Sequence, residues 1–271
     1  LVGNARINGL KDKDNLKEAS FQIDPPLLMN QEYLLTFSLS LEGESDPVYY
    51  YTRIVQRAGV NTGIYLKFVQ DFYERCMKKD AAGELTTYLE PDETVSNNSF
   101  HNVTIHSNFD QLTWGTLAPK IVNKAVPVIK EANENTLSVT QQYTISAKDT
   151  DNNTEYYSVS EFYRMRYTQS RVVLLDFERS ATQIFDANLP VTTSTGISLG
   201  VVGKDVQYVS NKSADIVAFV VDGDLWSYNR SANKCTKIFG FRTKAGDTDE
   251  RAVNMEHDVK IVRVSETGDI S

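Results

Sequence analysis

The stretch Asp215-Ile-Val-Ala-Phe-Val-Val-Asp222-Gly223-Asp224-Leu-Trp226-Ser-Tyr228-Asn229-Arg-Ser-Ala-Asn-Lys234-Cys-Thr-Lys-Ile238-Phe-Gly-Phe241 decides how the C-terminal part of the chain is read. Asp222-Gly223 between two apolar runs is a hairpin signal, because a two-residue primed turn needs positive φ. Leu225, Trp226 and Tyr228 make a bulky second strand, Asn229 to Lys234 a second turn, and Cys235 to Phe241 a third strand. His257 to Asp269 then begins strand and turn again. This is the grammar of β-propeller blades, which need several copies to close. Any antiparallel meander shares it.

Working outward, Ala187 to Gly196 is small and polar and reads as a linker between modules. The expected organisation is an α+β module over 1–186, a linker over 187–196, and a β-meander over 197–271 resembling one to two propeller blades. In the first module, Tyr33, Leu35, Phe37, Leu39 and Leu41 are apolar at period two, predicting a strand. Gly43 to Pro47 is its turn and Val48 to Val55 its partner. Tyr65, Phe68, Val69, Phe72, Tyr73 and Cys76 fall on one stripe of a helix over 62–79. A second short helix is expected over 81–89, before Pro91. Strands are expected at Val126 to Ile129, with its proline at an edge or start, then at Thr136 to Ala147, Tyr156 to Tyr167 and Val172 to Phe177. They form an antiparallel sheet, half buried.

Composition limits the functions. The 271 residues are 41% hydrophobic and 24% charged, within the globular range. Fourteen Tyr and twelve Phe favour β-structure. A net charge of −8 and a pI near 5.0 argue against nucleic acid, whose phosphates need a Lys/Arg surface, and against a polybasic membrane patch. No apolar run approaches the ~20 residues that span a bilayer. The chain starts at Leu1 without a signal-peptide pattern and ends at Ser271 inside an apparent strand. Both ends read as cut, and an excised N-terminal anchor or signal is a fair expectation. Cys76 and Cys235 read as two free thiols.

Local signatures of catalysis are missing from the sequence. There is no Gly-x-Ser-x-Gly elbow, Ser-x-x-Lys, P-loop or Gly-x-Gly-x-x-Gly. His101 and His106 are spaced for opposite faces of a strand, and with His257 they form no zinc pattern. Asp149, Asp151 and Asn153 match the first half of a calcium loop, but Thr154 stands where Gly is needed and Ser160 where the bidentate Glu belongs. These departures favour a hairpin turn and leave calcium as the alternative. Asp222/Asp224 and Asp247/Asp249/Glu250 read as solvated turn acids. No cofactor is expected. Tyr49, Tyr50, Tyr51, Trp226 and Tyr228 are candidates for a contact surface, with cross-strand packing as the alternative. Asn97, Asn102, Asn152, Asn211 and Asn229 head Asn-x-Ser/Thr sequons in loop-like places.

Tyr50-Tyr-Thr-Arg-Ile54, Leu66-Lys-Phe-Val-Gln-Asp-Phe72, Asn102-Val-Thr-Ile-His-Ser107 and Phe109-Asp-Gln-Leu-Thr-Trp114 resemble a group of uncharacterised proteins of clostridial-type Gram-positive gut anaerobes. The resemblance extends through Glu161 to Tyr167, Asp176 to Arg179 and Ile184 to Asp186 into Asp215–Tyr228. It implies a short N-terminal membrane anchor, an extracytoplasmic α+β module and a propeller-like region continuing past Ser271. It carries no catalytic residues. The expected function is non-enzymatic binding or sensing in a bacterial envelope protein, with a protein or cell-wall polymer as partner. The alternatives are an accessory region of an envelope polysaccharide or peptide hydrolase, and a regulator of a membrane histidine kinase.

Overall fold

The computed structural model describes residues 3–13, 16–24, 26–79, 83–94, 96, 98–168, 170–194, 196–203, 206–253 and 257–271. The protein is mostly β, with 38% strand and 12% helix, and its several antiparallel sheets are open. Its contacts divide it into two units, residues 1–60 and 61–271.

The first unit contains two antiparallel ribbons. β1 (Lys11–Lys13) pairs with β2 (Leu16–Glu18), and β3 (Glu32–Leu39) pairs with β4 (Val48–Val55). The expected period-two pattern in β3 is present: Tyr33, Leu35 and Phe37 are half-buried while their neighbours are exposed. Phe21 packs edge-on against Phe37 at 6.1 Å. Leu39, at the end of β3, and Leu41, beyond it, are exposed, although both were expected on the buried face.

The second unit is built on three long strands, β8 (Thr136–Lys148), β9 (Thr154–Tyr167) and β10 (Val172–Gln183). With β5 (Asn102–Thr104), β6 (Lys120–Ile121) and β7 (Val128–Ala132) they form one sheet in the order β5-β10-β9-β8-β6, and β7 also pairs with β8. Pro127 directly precedes β7, matching its reading as a strand start. β10 runs six residues beyond its expected end at Phe177. The extension, Glu178-Arg-Ser-Ala-Thr-Gln183, is polar, so apolar alternation does not mark it; a bulge lies further back, between Leu174 and Asp176. The extra residue switches the phase of burial, so Val172 and Leu174 point inward before the bulge, and Phe177, Arg179 and Ala181 after it.

Helix α1 (Thr62–Cys76) lies against this face, burying Tyr65, Val69, Phe72, Tyr73 and Cys76. The Phe72 ring is 5.7 Å from Tyr163 and 5.2 Å from Phe177, and Tyr73 is 4.9 Å from Tyr143. The Tyr65 hydroxyl donates to the Asn135 carbonyl at 3.1 Å and accepts from the Tyr167 amide at 2.7 Å, fixing the helix start to the sheet. In place of the expected second α-helix, Gly83–Tyr88 is a 3₁₀ helix; residues 81 and 82 lie outside those described. A single turn, α2 (Phe109–Leu112), is capped by Asn108, whose side chain accepts from the Gln111 amide at 2.8 Å.

The C-terminal part of this unit carries a four-stranded antiparallel sheet in sequential order: β11 (Tyr208–Ser210), β12 (Ile216–Val221), β13 (Asp224–Asn229) and β14 (Lys234–Phe239). The hairpin read from Asp222-Gly223 is present, with φ of 46° and 75° at the two turn residues. Both sheet faces are covered. Ile216, Ala218 and Leu225 pack with Ile261 and Val264, while Phe219, Val221 and Trp226 pack with Phe185. Ala187, Val191, Ile197 and Leu199, from the stretch read as a linker and just beyond it, pack on that second cluster. Helix α3 (Glu250–Val253) is one turn.

Phe72 is the hub between helix and sheet. Phe72→Ala is expected to lower unfolding free energy by about 3–5 kcal/mol. Denaturant unfolding followed by tryptophan fluorescence checks this, since Trp114 and Trp226 both report on the second unit. A loss below about 1 kcal/mol would contradict the packing.

Candidate functional site

Two buried charge clusters stand out in the second unit. The first is a row across the sheet. Gln141, Glu161 and Arg179 are direct neighbours on β8, β9 and β10. Glu161 and Arg179 side chains are fully buried and approach to 3.9 Å. The carboxylate accepts from Gln141 Nε2 and the Tyr163 hydroxyl, each at 2.6 Å, and from the Tyr143 hydroxyl at 2.8 Å. Arg179 Nη2 donates to the Gln111 carbonyl at 2.7 Å, and its guanidinium lies 3.8 Å over Trp114. Trp114 has φ of 64°, an unfavourable region for a bulky residue. Burial, then the nearby Glu161 charge, raises the Tyr143 and Tyr163 phenols well above their ordinary values. Burial also pushes the Cys76 thiol up, so it is a core residue rather than a nucleophile. With its oxygens occupied and no exposure, Glu161 is a structural carboxylate.

The second cluster joins the hairpin turn to the segment after β14. Arg242 Nη2 lies 2.6 Å from Asp222 Oδ2, and Nη1 lies 3.5 Å from Asp224 Oδ2. Lys237 donates to Asp224 Oδ2 and to the Arg242 carbonyl, both at 2.7 Å. Asp222 and Asp224 are therefore not the solvated turn acids expected: the sheet carries them inward and two cations compensate them. Desolvation raises the carboxyl of Asp222; Arg242 partly offsets this, and Asp224 adds to it. Gly240 makes the close approach feasible, since a Cβ there would sit 2.0 Å from Asp224 Oδ1. Beside this cluster is a cavity of about 110 Å³, lined by Phe185, Asp186, Asn188, Trp226, Lys244 and the paired Lys237 and Arg242, among others.

The remaining candidates fall in separate places. Asp149 closes the β8–β9 turn: Oδ1 accepts from the amides of Asp151 and Asn153 at 2.9 and 2.7 Å, and Oδ2 from the Asn153 side chain at 2.9 Å. The Asp149, Asp151, Asn153 set is thus a hairpin turn whose first carboxylate is spent on its own loop. Tyr49 and Tyr51 share one face of β4, with rings stacked at 6.5 Å, and are 53% and 64% exposed. Tyr50 points to the other face, opposite Phe37, as period two requires. Trp226 is only 8% exposed and packs on Phe185 at 4.9 Å, so it is core and cavity wall, not open surface. The Tyr228 hydroxyl donates to Asn233 at 3.0 Å.

The histidines are dispersed. His101 meets the Ala181 carbonyl, His106 that of Glu90 and His257 that of Gly223. Cys76 and Cys235 are both unpaired. Of the sequon residues, Asn97 lies outside the described residues. Asn211 is not in an open loop: it is 4% exposed and its amide donates to Asp215 and Ser213. The Gln141–Glu161–Arg179 row escaped the sequence reading. Its available signal was a Glu and an Arg placed at inward positions of otherwise apolar alternation. Comparisons with protein-family models, with curated proteins and with solved structures found no match.

Asp247 fastens the segment that presents Thr243 and Lys244 to the cavity. It accepts from the Thr243 amide and hydroxyl at 2.8 and 2.7 Å, and these bonds, with that from Asp249, lower its carboxyl to about 2. Between an unfolded value near 3.8 and about 2 the unfolded chain takes up this proton and the folded chain does not, so acid favours unfolding. Stability is expected to fall as pH drops from 4 to 2, and less steeply in Asp247→Asn. Denaturant titrations at the two pH values check this; equal slopes in both proteins would contradict it.

Proposed function

We propose that the chain is a non-enzymatic, extracytoplasmic binding or sensing module of a bacterial envelope protein, recognising a protein or a cell-wall polymer. The observation that carries this reading is the exposed Tyr49–Tyr51 pair. The rings stand side by side on one face of the β3–β4 ribbon, with Leu34, 68% exposed, on the same face. Tyrosine offers a large, rigid contact area at low entropic cost, which suits recognition. The buried ionisable groups of the second unit support the non-catalytic part: each cluster pairs carboxylate with cation inside the fold.

In the same reading, β11–β14 is a propeller blade, and residues 257–271 lead into the next. A blade is a four-stranded antiparallel sheet in sequential order, and Ile261 and Val264 already pack on one of its faces. The envelope location rests on the resemblance to membrane-anchored extracytoplasmic proteins of clostridial-type bacteria.

Co-sedimentation with isolated Gram-positive cell walls, before and after protease treatment of the walls, tests this function. The wild-type chain is expected to bind. Retention on protease-treated walls assigns a polymer, and loss assigns a wall protein. Tyr49→Ala/Tyr51→Ala is expected to bind at least about tenfold more weakly, and Tyr50→Ala near wild type. Failure of the wild type to bind either preparation, or undiminished binding by the double variant, would overturn the reading.

A further inference from the structure

We propose that the cavity beside Trp226 binds a small zwitterion, a free amino acid with a short side chain. The site belongs to the second unit and is independent of the Tyr49–Tyr51 face.

Size sets the first limit. A cavity of about 110 Å³ is well beyond the ~10–15 Å³ that one water requires and somewhat short of the ~150 Å³ that takes benzene. It therefore admits a molecule of about four to seven non-hydrogen atoms. Phe185 and Trp226 give it an apolar wall.

Charge sets the second. The deep cations and acids cancel: Lys237 is held by Asp224, and Arg242 by Asp222 and Asp224. Two cations and two carboxylates leave no net charge to attract a simple ion. Two other lining groups, Asp186 and Lys244, have opposite signs. Asp186 is held in place, since Oδ1 accepts both the Asn188 amide at 2.9 Å and the Asn188 side chain at 2.8 Å. Lys244 is exposed. A simple carboxylate can match Lys244 but not Asp186, and a simple ammonium Asp186 but not Lys244. A molecule carrying both charges matches both sets.

Trp226 is more than nine-tenths buried and forms the cavity wall with Phe185. A carboxylate beside Lys244, with the ammonium on Asp186, sets each charge of the ligand against an opposite partner. Trp226 itself is fixed by Phe185 and Phe219, and Lys237 sits 5.6 Å from its ring, so the site is preorganised.

Nuclear magnetic resonance of the two indole N–H signals tests this. The Trp226 signal is identified by its loss in Trp226→Phe, and the Trp114 signal serves as the internal check of the fold. Glycine and alanine are titrated at constant ionic strength, with acetate and methylamine as single-charge controls. Alanine is expected to move the Trp226 signal saturably, with a dissociation constant of about 1 mM. Acetate and methylamine are expected to be at least tenfold weaker. Asp186→Asn and Lys244→Met should each weaken alanine at least tenfold while the Trp114 signal stays in place. The proposal is overturned if the Trp226 signal does not move with alanine up to about 50 mM, some fifty times the expected constant. It is equally overturned if acetate or methylamine acts as strongly as alanine, or if both variants bind alanine as wild type.

Discussion

A carboxylate with no exposure has to be matched where it sits, and Glu161 imposes that demand on the whole second unit. Its oxygens take donors from Gln141, Tyr143 and Tyr163, which fixes the register of β8 against β9. Arg179 brings a compensating charge from β10, and only because a bulge turns that strand's later residues inward. Arg179 in turn reaches the Gln111 carbonyl and the Trp114 ring, tying the loop around α2 to the sheet. Desolvating such a pair costs several kcal/mol per ion, so it confers little net stability; removing one partner is far more damaging than removing both. The arrangement selects one register and one loop conformation over their neighbours.

The same logic recurs around the hairpin turn. Asp222 and Asp224 enter the interior with Arg242 and Lys237, and the cavity beside them inherits a polar lining already in balance. Charges spent in this way shape a binding wall better than they drive a reaction. On the proposed reading the chain recognises through surfaces: an exposed aromatic pair on the β3–β4 ribbon and a small polar cavity under Trp226.

Much of the fold was legible in the sequence because it rests on local periodicity. The stripe from Tyr65 to Cys76 gave the helix, the alternation from Tyr33 to Phe37 gave a strand, and Asp222-Gly223 gave the hairpin. What stayed hidden depends on contacts distant in sequence. Beyond Phe177, β10 carries Glu178, Arg179 and Ser180, and Arg179 is buried only with distant partners such as Glu161 and Trp114, so the second half of the strand has no apolar mark. Asp222 and Asp224 resemble surface turn acids until Arg242 closes over them, eighteen to twenty residues later. Trp226 reads equally as surface or core until Phe185 is placed against it. Tyr49, Tyr50 and Tyr51 were legible as one candidate set, and the strand register separates Tyr49 and Tyr51 from Tyr50.

The claim that buried charge here builds the fold is tested most directly by a double-mutant cycle on Glu161→Gln and Arg179→Met, read by equilibrium unfolding. Each single change is expected to cost about 3–5 kcal/mol, because it leaves an uncompensated buried charge or carboxylate. Together they should cost less than their sum by at least about 2 kcal/mol. Additivity within about 0.5 kcal/mol would show that the two groups do not depend on each other, and would contradict the account.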